Sequence, residues 1–294
     1  MSAPVDVTGY SEKQLIKIER AIARKYMGGV PWFVVAWGLG NCVVWLALWP
    51  LVYFDILPLW AGFLIATVNV TLSYLPSHEA QHSIIARDGE PLRWLNELVG
   101  HISTIPLATP YRALRVTHME HHTHSNDPEL DPDYSSSAKN AKQAIWKSLI
   151  NRQPRAAGGF NKYGEVLTRL DTPDAKRALR DSIIYQLVFY SLLIGLAWSG
   201  YALEAALLWW LPRHIGLTYI QFFLSWAPHH PAKETGRYRD TRAFRSRLGN
   251  IGSGGMQFHI VHHLHPRIPL TRTPAAYWEL RPILKARGCD LGEL

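Results

Sequence analysis

The sequence predicts an all-α integral membrane protein, with four transmembrane helices and a cytoplasmic helical cap holding a histidine-rich metal site. Three observations carry this. Apolar runs close to the roughly 20 residues that cross hydrocarbon alternate with basic stretches. Two segments, THMEHHTH at 117–124 and FHIVHHLHP at 258–266, share an HxxHH spacing. A third histidine pair, in SHEAQHS at 77–83, stands at the end of an apolar run. A mean hydropathy of -0.07 hides this segregation.

Residues 1–30 form a polar, amphipathic segment with no cleavable signal. Within it, Ser11 and Gln14 make a capping box, and Leu15, Ile18 and Ile22 make an apolar stripe suited to lying on a bilayer. The first two spans are 31–54 and 59–77, separated by Asp55 and Pro58. Basic residues mark the cytoplasmic side, so the chain starts inside and returns there at His78.

Residues 78–182 form the first part of the cap. An amphipathic stretch at 91–101 lies at the interface, and a helix at 110–124 carries the second histidine group. Asp127, Glu129, Asp131 and Asp133, bracketed by Pro128 and Pro132, read as a solvated loop. The polar tract 138–164 reads as a mobile loop, and Thr172-Pro173 as a helix start. The third span is 183–200. The fourth, 202–227, is interrupted by Pro212, Arg213 and His214, which implies either one kinked helix or a crossing in two pieces. The cap resumes over 228–294, with 250–255 a flexible approach to the last histidines and Trp278 and Leu280 packing at the end. The whole chain, 1–294, forms one domain.

Composition narrows the function. The net charge of +8 comes from residues flanking apolar spans, and no nucleic-acid motif accompanies it, so it belongs to a membrane surface rather than to nucleic acid. Two cysteines, Cys42 and Cys289, give no disulfide framework and point to a reducing compartment.

The histidines carry the chemistry. On a helix, His118, His121 and His122 share one face. His259, His262 and His263 repeat the spacing, and His78 and His82 lie one turn apart. Neutral imidazole suits iron, zinc, copper and nickel. Eight such nitrogens exceed what one ion can use, so two ions share the site.

The boxes HEAQH, HMEHH and HIVHH, with the flanks NDPELDPD, APHHP and HHLHP, resemble the membrane fatty acid desaturase and hydroxylase superfamily from about Leu72 onward. The resemblance implies an integral membrane enzyme with two ferrous ions, O2 as co-substrate, and attack on lipid C–H bonds. It adds His229, in APHHP, to the ligands His78, His82, His118, His121, His122, His259, His262 and His263. His230 faces solvent, and His214 lies too far down the fourth span to take part. Glu79, Glu120 and Asp127 are candidates to orient the imidazoles, while His101, His124 and His265 are structural or orienting histidines. No iron–sulfur, nucleotide or haem motif is visible, so electrons come from a ferredoxin or another small carrier with its reductase. Arg242, Arg245 and Arg247 are placed to steer an acidic carrier. The expected setting is a bacterial inner membrane, with the metals on the cytoplasmic face.

Fatty acyl desaturation is the plainest reaction. A carotenoid ring ketolase or hydroxylase, or an acyl hydroxylase, is the alternative within the superfamily. A remote alternative is an intramembrane zinc protease, since HEAQH also reads as HExxH with Glu79 as base. That reading leaves two HxxHH groups unused.

Overall fold

The computed structural model describes residues 9–153 and 155–294. Among these residues the chain is helical, and its only β feature is an isolated bridge between Arg242 and Asp290. Helix α1 (Glu12–Tyr26) opens with the expected capping box: the Ser11 N–H donates to Gln14 Oε1 at 2.8 Å. Its stripe does not face a bilayer. Leu15 and Ile22 are buried against the C-terminal helix α10 (Thr273–Ala286), beside Tyr277, Leu280 and Ile283. Lys25 pairs with Glu279 and Arg287 with Glu12 across this contact. The stripe is taken up by this contact, with Ile18 partly buried at its edge. On α10, Leu280 is fully buried as expected, whereas Trp278 is exposed.

Helices α2 (Trp32–Tyr53) and α3 (Leu59–Gln81) match the first two expected spans, except that α3 continues through His78 into the cap. They are pinned at one depth by a reciprocal pair. Asn41 Nδ2 donates to the Asn69 carbonyl, and Asn69 Nδ2 donates to the Asn41 carbonyl, at 2.8 and 2.9 Å. Such a pair fixes register between otherwise featureless apolar faces. The third span and the Thr172 helix start prove to be one element, α8 (Pro173–Trp198), with Thr172 Oγ1 accepting the Ala175 N–H. By length and composition, α2, α3 and α8 can each cross a membrane. Their outer faces are apolar and uncovered, with Phe33, Val43, Leu64, Leu187 and Ile194 all exposed, which water would penalise and lipid would not.

The fourth apolar stretch is one continuous helical rod, 202–229. It is α-helical over Ala202–Ala205, Leu211–Ile220 and Ala227–His229, and π-helical over Ala206–Trp210 and Gln221–Trp226. The wider π turns precede Pro212 and Pro228 and absorb their missing N–H groups, so neither proline ends the rod. Arg213 does not face lipid. It is buried, donates from Nε to the Leu107 carbonyl at 2.7 Å, and stacks over Phe189 at 5.0 Å. A Cβ on Gly216 would lie 3.2 Å from Thr71 Cα, so the rod and α3 touch backbone to backbone there.

The remaining elements connect rod and spans to the histidines: α4 (Arg93–Thr104), α5 (Tyr111–His124), α6 (Ala141–Ile150), α7 (Phe160–Leu170) and α9 (His259–Leu264). The tract expected to be a mobile loop therefore contains α6, whose Asn140 cap accepts the Gln143 N–H at 3.0 Å, and the start of α7. The stretch before α9 is also ordered: it contains a helical turn at Gly249–Gly252, and Leu270 sits directly over Gly255, whose φ is +80°.

Candidate metal centre

Four elements deliver the histidines. The end of α3 carries His78 and the residue after it is His82. Helix α5 carries His118, His121 and His122. The end of the rod carries His229, and α9 carries His259, His262 and His263. Two buried donors lock the first pair of elements together: Tyr111 Oη, at the start of α5, donates to the Ala80 carbonyl at 3.0 Å, and Asn96 Nδ2 of α4 donates to the same carbonyl. The carbonyl lies between His78 and His82, so the α3 box is anchored to the start of α5 by one hydrogen bond and to α4 by the other.

The imidazoles sort into two groups. His78, His82, His118 and His262 bring one ring nitrogen each to within 4.8 Å of the others, and so do His121, His229 and His263. The helical spacing of α5 explains the division, since His118 and His121 diverge while His122 returns to the first side. His122 Nε2 lies 3.2 Å from His118 Nε2 and 3.1 Å from His262 Nε2, and its ring stacks on His263. His259 stands between the groups, with ring centroids 5.2 Å from His229, 4.7 Å from His263 and 5.1 Å from His262. All nine sequence-predicted histidines thus come together.

The residues fit metal. Ring nitrogens bound about 2.1 Å from one ion at right angles would lie about 3 Å apart. His82 Nε2 to His118 Nε2 is 2.9 Å, and His121 Nε2 to His229 Nε2 is 3.2 Å. The His259 and His263 Nε2 atoms are buried with no hydrogen-bond partner among the described residues, an arrangement costly without a ligand. Burial, followed by the charge of neighbouring histidines, holds His118, His122, His259, His262 and His263 well below the ordinary imidazole range. They are therefore neutral at pH 7, the form that ligates.

Orientation comes from residues the sequence reading passed over. Asp131 is almost wholly buried, and its Oδ1 lies 2.9 Å from His121 Nδ1. It also accepts the Asn126 and Asp133 N–H groups at 2.8 Å each. Burial alone would raise this carboxyl, but His121 and the two amides hold it below the usual carboxylate range. The Asp240 carbonyl accepts from His229 Nδ1 at 2.9 Å, and Asp240 Oδ1 is 3.9 Å from His263 Nδ1. With Nδ1 engaged, Nε2 of His121 and of His229 is left facing its group.

The expected orienting carboxylates do other work. Glu79 Oε1 accepts the Leu270 N–H at 3.0 Å, Glu120 lies beside Arg169 and His124, and Asp127 caps the Glu129 and Leu130 N–H groups. The acidic run is thus a solvated loop only at Asp127 and Glu129. At Asp131 and Asp133 it turns inward, with Tyr163 Oη donating to Asp133 Oδ1 at 2.6 Å. His230 does not simply face solvent: its Nδ1 engages the Ala138 carbonyl at 3.1 Å. Outside both groups, His101 packs on Tyr111, His265 pairs with Glu19 at 3.1 Å, and His214 packs at a tilt against Trp210.

A buried, two-part imidazole centre beside helices long and apolar enough to cross a membrane defines a class: a membrane protein with a histidine-rich site suited to metal. The chain belongs to the fatty acid desaturase family, whose profile matches residues 54–292. It is 28% identical over 240 residues to the dihydrorhizobitoxine desaturase of Bradyrhizobium elkanii, covering 74% of this chain and 64% of that protein. To the sn-1 oleoyl-lipid 12-desaturase of Anabaena variabilis it is 22% identical, covering 83% and 73%. A Delta(9) fatty acid conjugase-like enzyme of Dimorphotheca sinuata is 23% identical, covering 90% and 73%. The family is one of membrane-bound oxidoreductases of lipid metabolism, and the histidine centre fits it.

Proposed function

We propose that this protein is an O2-dependent lipid desaturase of a single domain, 1–294. Its nine histidines, His78, His82, His118, His121, His122, His229, His259, His262 and His263, would hold two ferrous ions. The division of the imidazoles into two adjacent groups is the observation that carries this reading. Bound there, iron would supply reduction of O2 and removal of hydrogen from an unactivated C–H bond, which redox-inert zinc would not.

The chain's own residues set the stage for that chemistry. Asp131 and the Asp240 carbonyl fix the tautomers of His121 and His229. A cavity reaches His78, His118, His121 and His259 from between α5, α7 and the rod, with Leu107, Leu114, Ile220 and Leu224 as its apolar wall. That wall excludes water from the reacting end and fits a hydrocarbon. Glu79 is engaged by the Leu270 N–H, which weighs against its acting as the base of a zinc protease.

We read the rod 202–229 as a fourth crossing, with both termini and the histidines on the cytoplasmic face of a bacterial inner membrane. Electrons would come from a ferredoxin or a similar carrier. One relative, from Nostoc, is named as a ferredoxin-dependent acyl-lipid omega-3 desaturase. Of the three arginines considered for steering the carrier, Arg242 is committed to the Ala227 carbonyl, whereas Arg245 and Arg247 are exposed.

The test is expression in a bacterial host that also makes β-carotene, with a His121→Ala control and mass spectrometry of fatty acids and pigments. Acyl chains lighter by two hydrogens in the wild type alone are the expected result. Oxygen gained on the carotenoid ring or on the acyl chain would instead identify a ketolase or hydroxylase. Purified protein containing zinc without iron would overturn the reading.

A further inference from the structure

The cavity that reaches the histidines has a second, polar end. There the half-buried Arg152 lines the wall beside Asn151, Ser135 and Ser136. Its Nη1 donates to Ser148 Oγ at 2.8 Å and its Nη2 to Thr218 Oγ1 at 2.7 Å, while its Nε is buried with no partner. Among the described residues no carboxylate forms an ion pair with Arg152. Burial lowers the pKa of Arg152 to about 10, and the charge of a second cation, Arg213, adds to the effect. Arg213 in turn is held by a carbonyl and aromatic faces rather than by an acid. A guanidinium taken partly out of water near another guanidinium, with hydroxyls as its only partners among the described residues, is expensive to maintain. A ligand anion would offset that cost, and a planar fork with a free donor matches a carboxylate or phosphate.

We propose that Arg152 binds an anionic head group, a carboxylate or a phosphate monoester, of the molecule that enters this cavity. The substrate would then be a charged amphiphile. Its apolar part would run along Leu107, Leu217 and Ile220 toward His78 and His118, with its anion seated at the far end. The inference rests on the reading of the histidine centre as the reacting site, and it names the substrate class for that site. It also separates this substrate from a fully esterified, uncharged acyl ester or a carotenoid, neither of which carries an anion to satisfy Arg152.

The test uses the full chain, iron-loaded, in nanodiscs of zwitterionic lipid, with empty nanodiscs as the background. The probes are radiolabelled octanoate and octyl phosphate, with methyl octanoate and octanol as competitors. Saturable binding of octanoate would point to a carboxylate head, and of octyl phosphate to a phosphate. Neither neutral competitor should displace the anion. One lost charge-assisted hydrogen bond corresponds to about tenfold or more in affinity, so Arg152→Met should weaken binding by at least that much. Arg152→Lys should recover part of the loss and also guards against a folding defect in the first variant. Equal binding in Arg152→Met, displacement by octanol as effective as by octanoate, or no binding of either anion overturns the proposal. Iron content is measured on the same samples. Anion binding that depends on Arg152 in protein that never takes up iron would support the anion site and sink the oxygen-chemistry reading. Iron-loaded protein that ignores both anions would do the reverse.

Discussion

His121 and Asp131 form a buried pair, Nδ1 to Oδ1 at 2.9 Å, while the other ring nitrogen of His121 lies 3.2 Å from His229 Nε2. One carboxylate thus sets the direction of an imidazole that closes the second histidine group. Asp131 is itself held by two backbone amides, so the orientation passes from the 126–133 turn into the site. Loss of such a partner typically costs 10–100-fold in metal affinity. Asp131→Asn should therefore lower iron retention by about that factor, with helix content unchanged. Iron per protein after dialysis against graded chelator, beside circular dichroism, measures it. Undiminished iron retention would mean that Asp131 serves the turn alone.

The two groups make a second prediction. His262 sits in one and His263 in the other, although they are neighbours in α9. On the proposed two-iron reading, His262→Ala should weaken an ion held with His78, His82 and His118, and His263→Ala one held with His121 and His229. Each variant should move iron from two per chain toward one. Mössbauer spectra would then show a different remaining environment in each variant. Identical spectra for both would indicate that the imidazoles act as a single undivided set.

How much of this was legible beforehand follows from what each signal encodes. The spacing of His118, His121 and His122 fixes which helix face they share, because helical periodicity is local. The grouping of the eight box histidines, α2 and the start of α3 are accordingly readable, whereas His229 enters only through the resemblance carried by APHHP. Asp131 is not readable, because in NDPELDPD the buried carboxylates look no different from the solvated ones. Only tertiary placement separates Asp131 and Asp133, turned toward His121 and Tyr163, from Asp127 and Glu129. Helix α6 is masked in the sequence despite Asn140 and the Ile145/Leu149 spacing, since the Ser and Gly residues around it dominate the local pattern. The α1 stripe reads locally as a lipid-facing one because its partner α10 lies more than two hundred residues away in the chain. Arg213 is a misplaced charge by sequence alone, and only the tertiary fold supplies its neighbours, the Leu107 carbonyl and Phe189.

Tyr111 gives a third prediction. Its ring is fully buried and its hydroxyl donates to the Ala80 carbonyl, while Gly100 presses on the ring from α4. Tyr111→Phe keeps the packing and removes one donor, at about 1 kcal/mol. Gly100→Ala would place a methyl group 2.5 Å from the ring, and overpacking of this kind costs about 1–3 kcal/mol. Thermal unfolding in detergent should rank the two variants in that order. A neutral Gly100→Ala would show that α4 can slide away from α5.

The last prediction concerns the cap, where Glu19 of α1 is buried among cations. Its Oε1 lies 3.1 Å from His265 Nε2 and 3.5 Å from Arg237, and its Oε2 accepts from Tyr238 Oη at 3.0 Å and lies 3.5 Å from Arg287. Burial pushes this carboxyl up, but the hydrogen bonds from His265 and Tyr238 and the charges of His265 and Arg237 together hold it below its ordinary 4.5. The sign follows from linkage. A carboxyl that binds its proton less readily when folded stabilises the fold above the unfolded pKa, and that contribution disappears as pH falls through the lower folded value. Glu19→Gln leaves Arg287 and His265 buried against a neutral amide, and breaking a buried pair in this way costs about 3–5 kcal/mol. Melting followed from about pH 6 to about pH 3 should show wild type and Glu19→Gln far apart at the upper end and converging at the lower, as wild-type Glu19 takes up its proton. A gap that stayed constant across that range would mean that Glu19 stabilises the α1–α10 contact by packing rather than by charge.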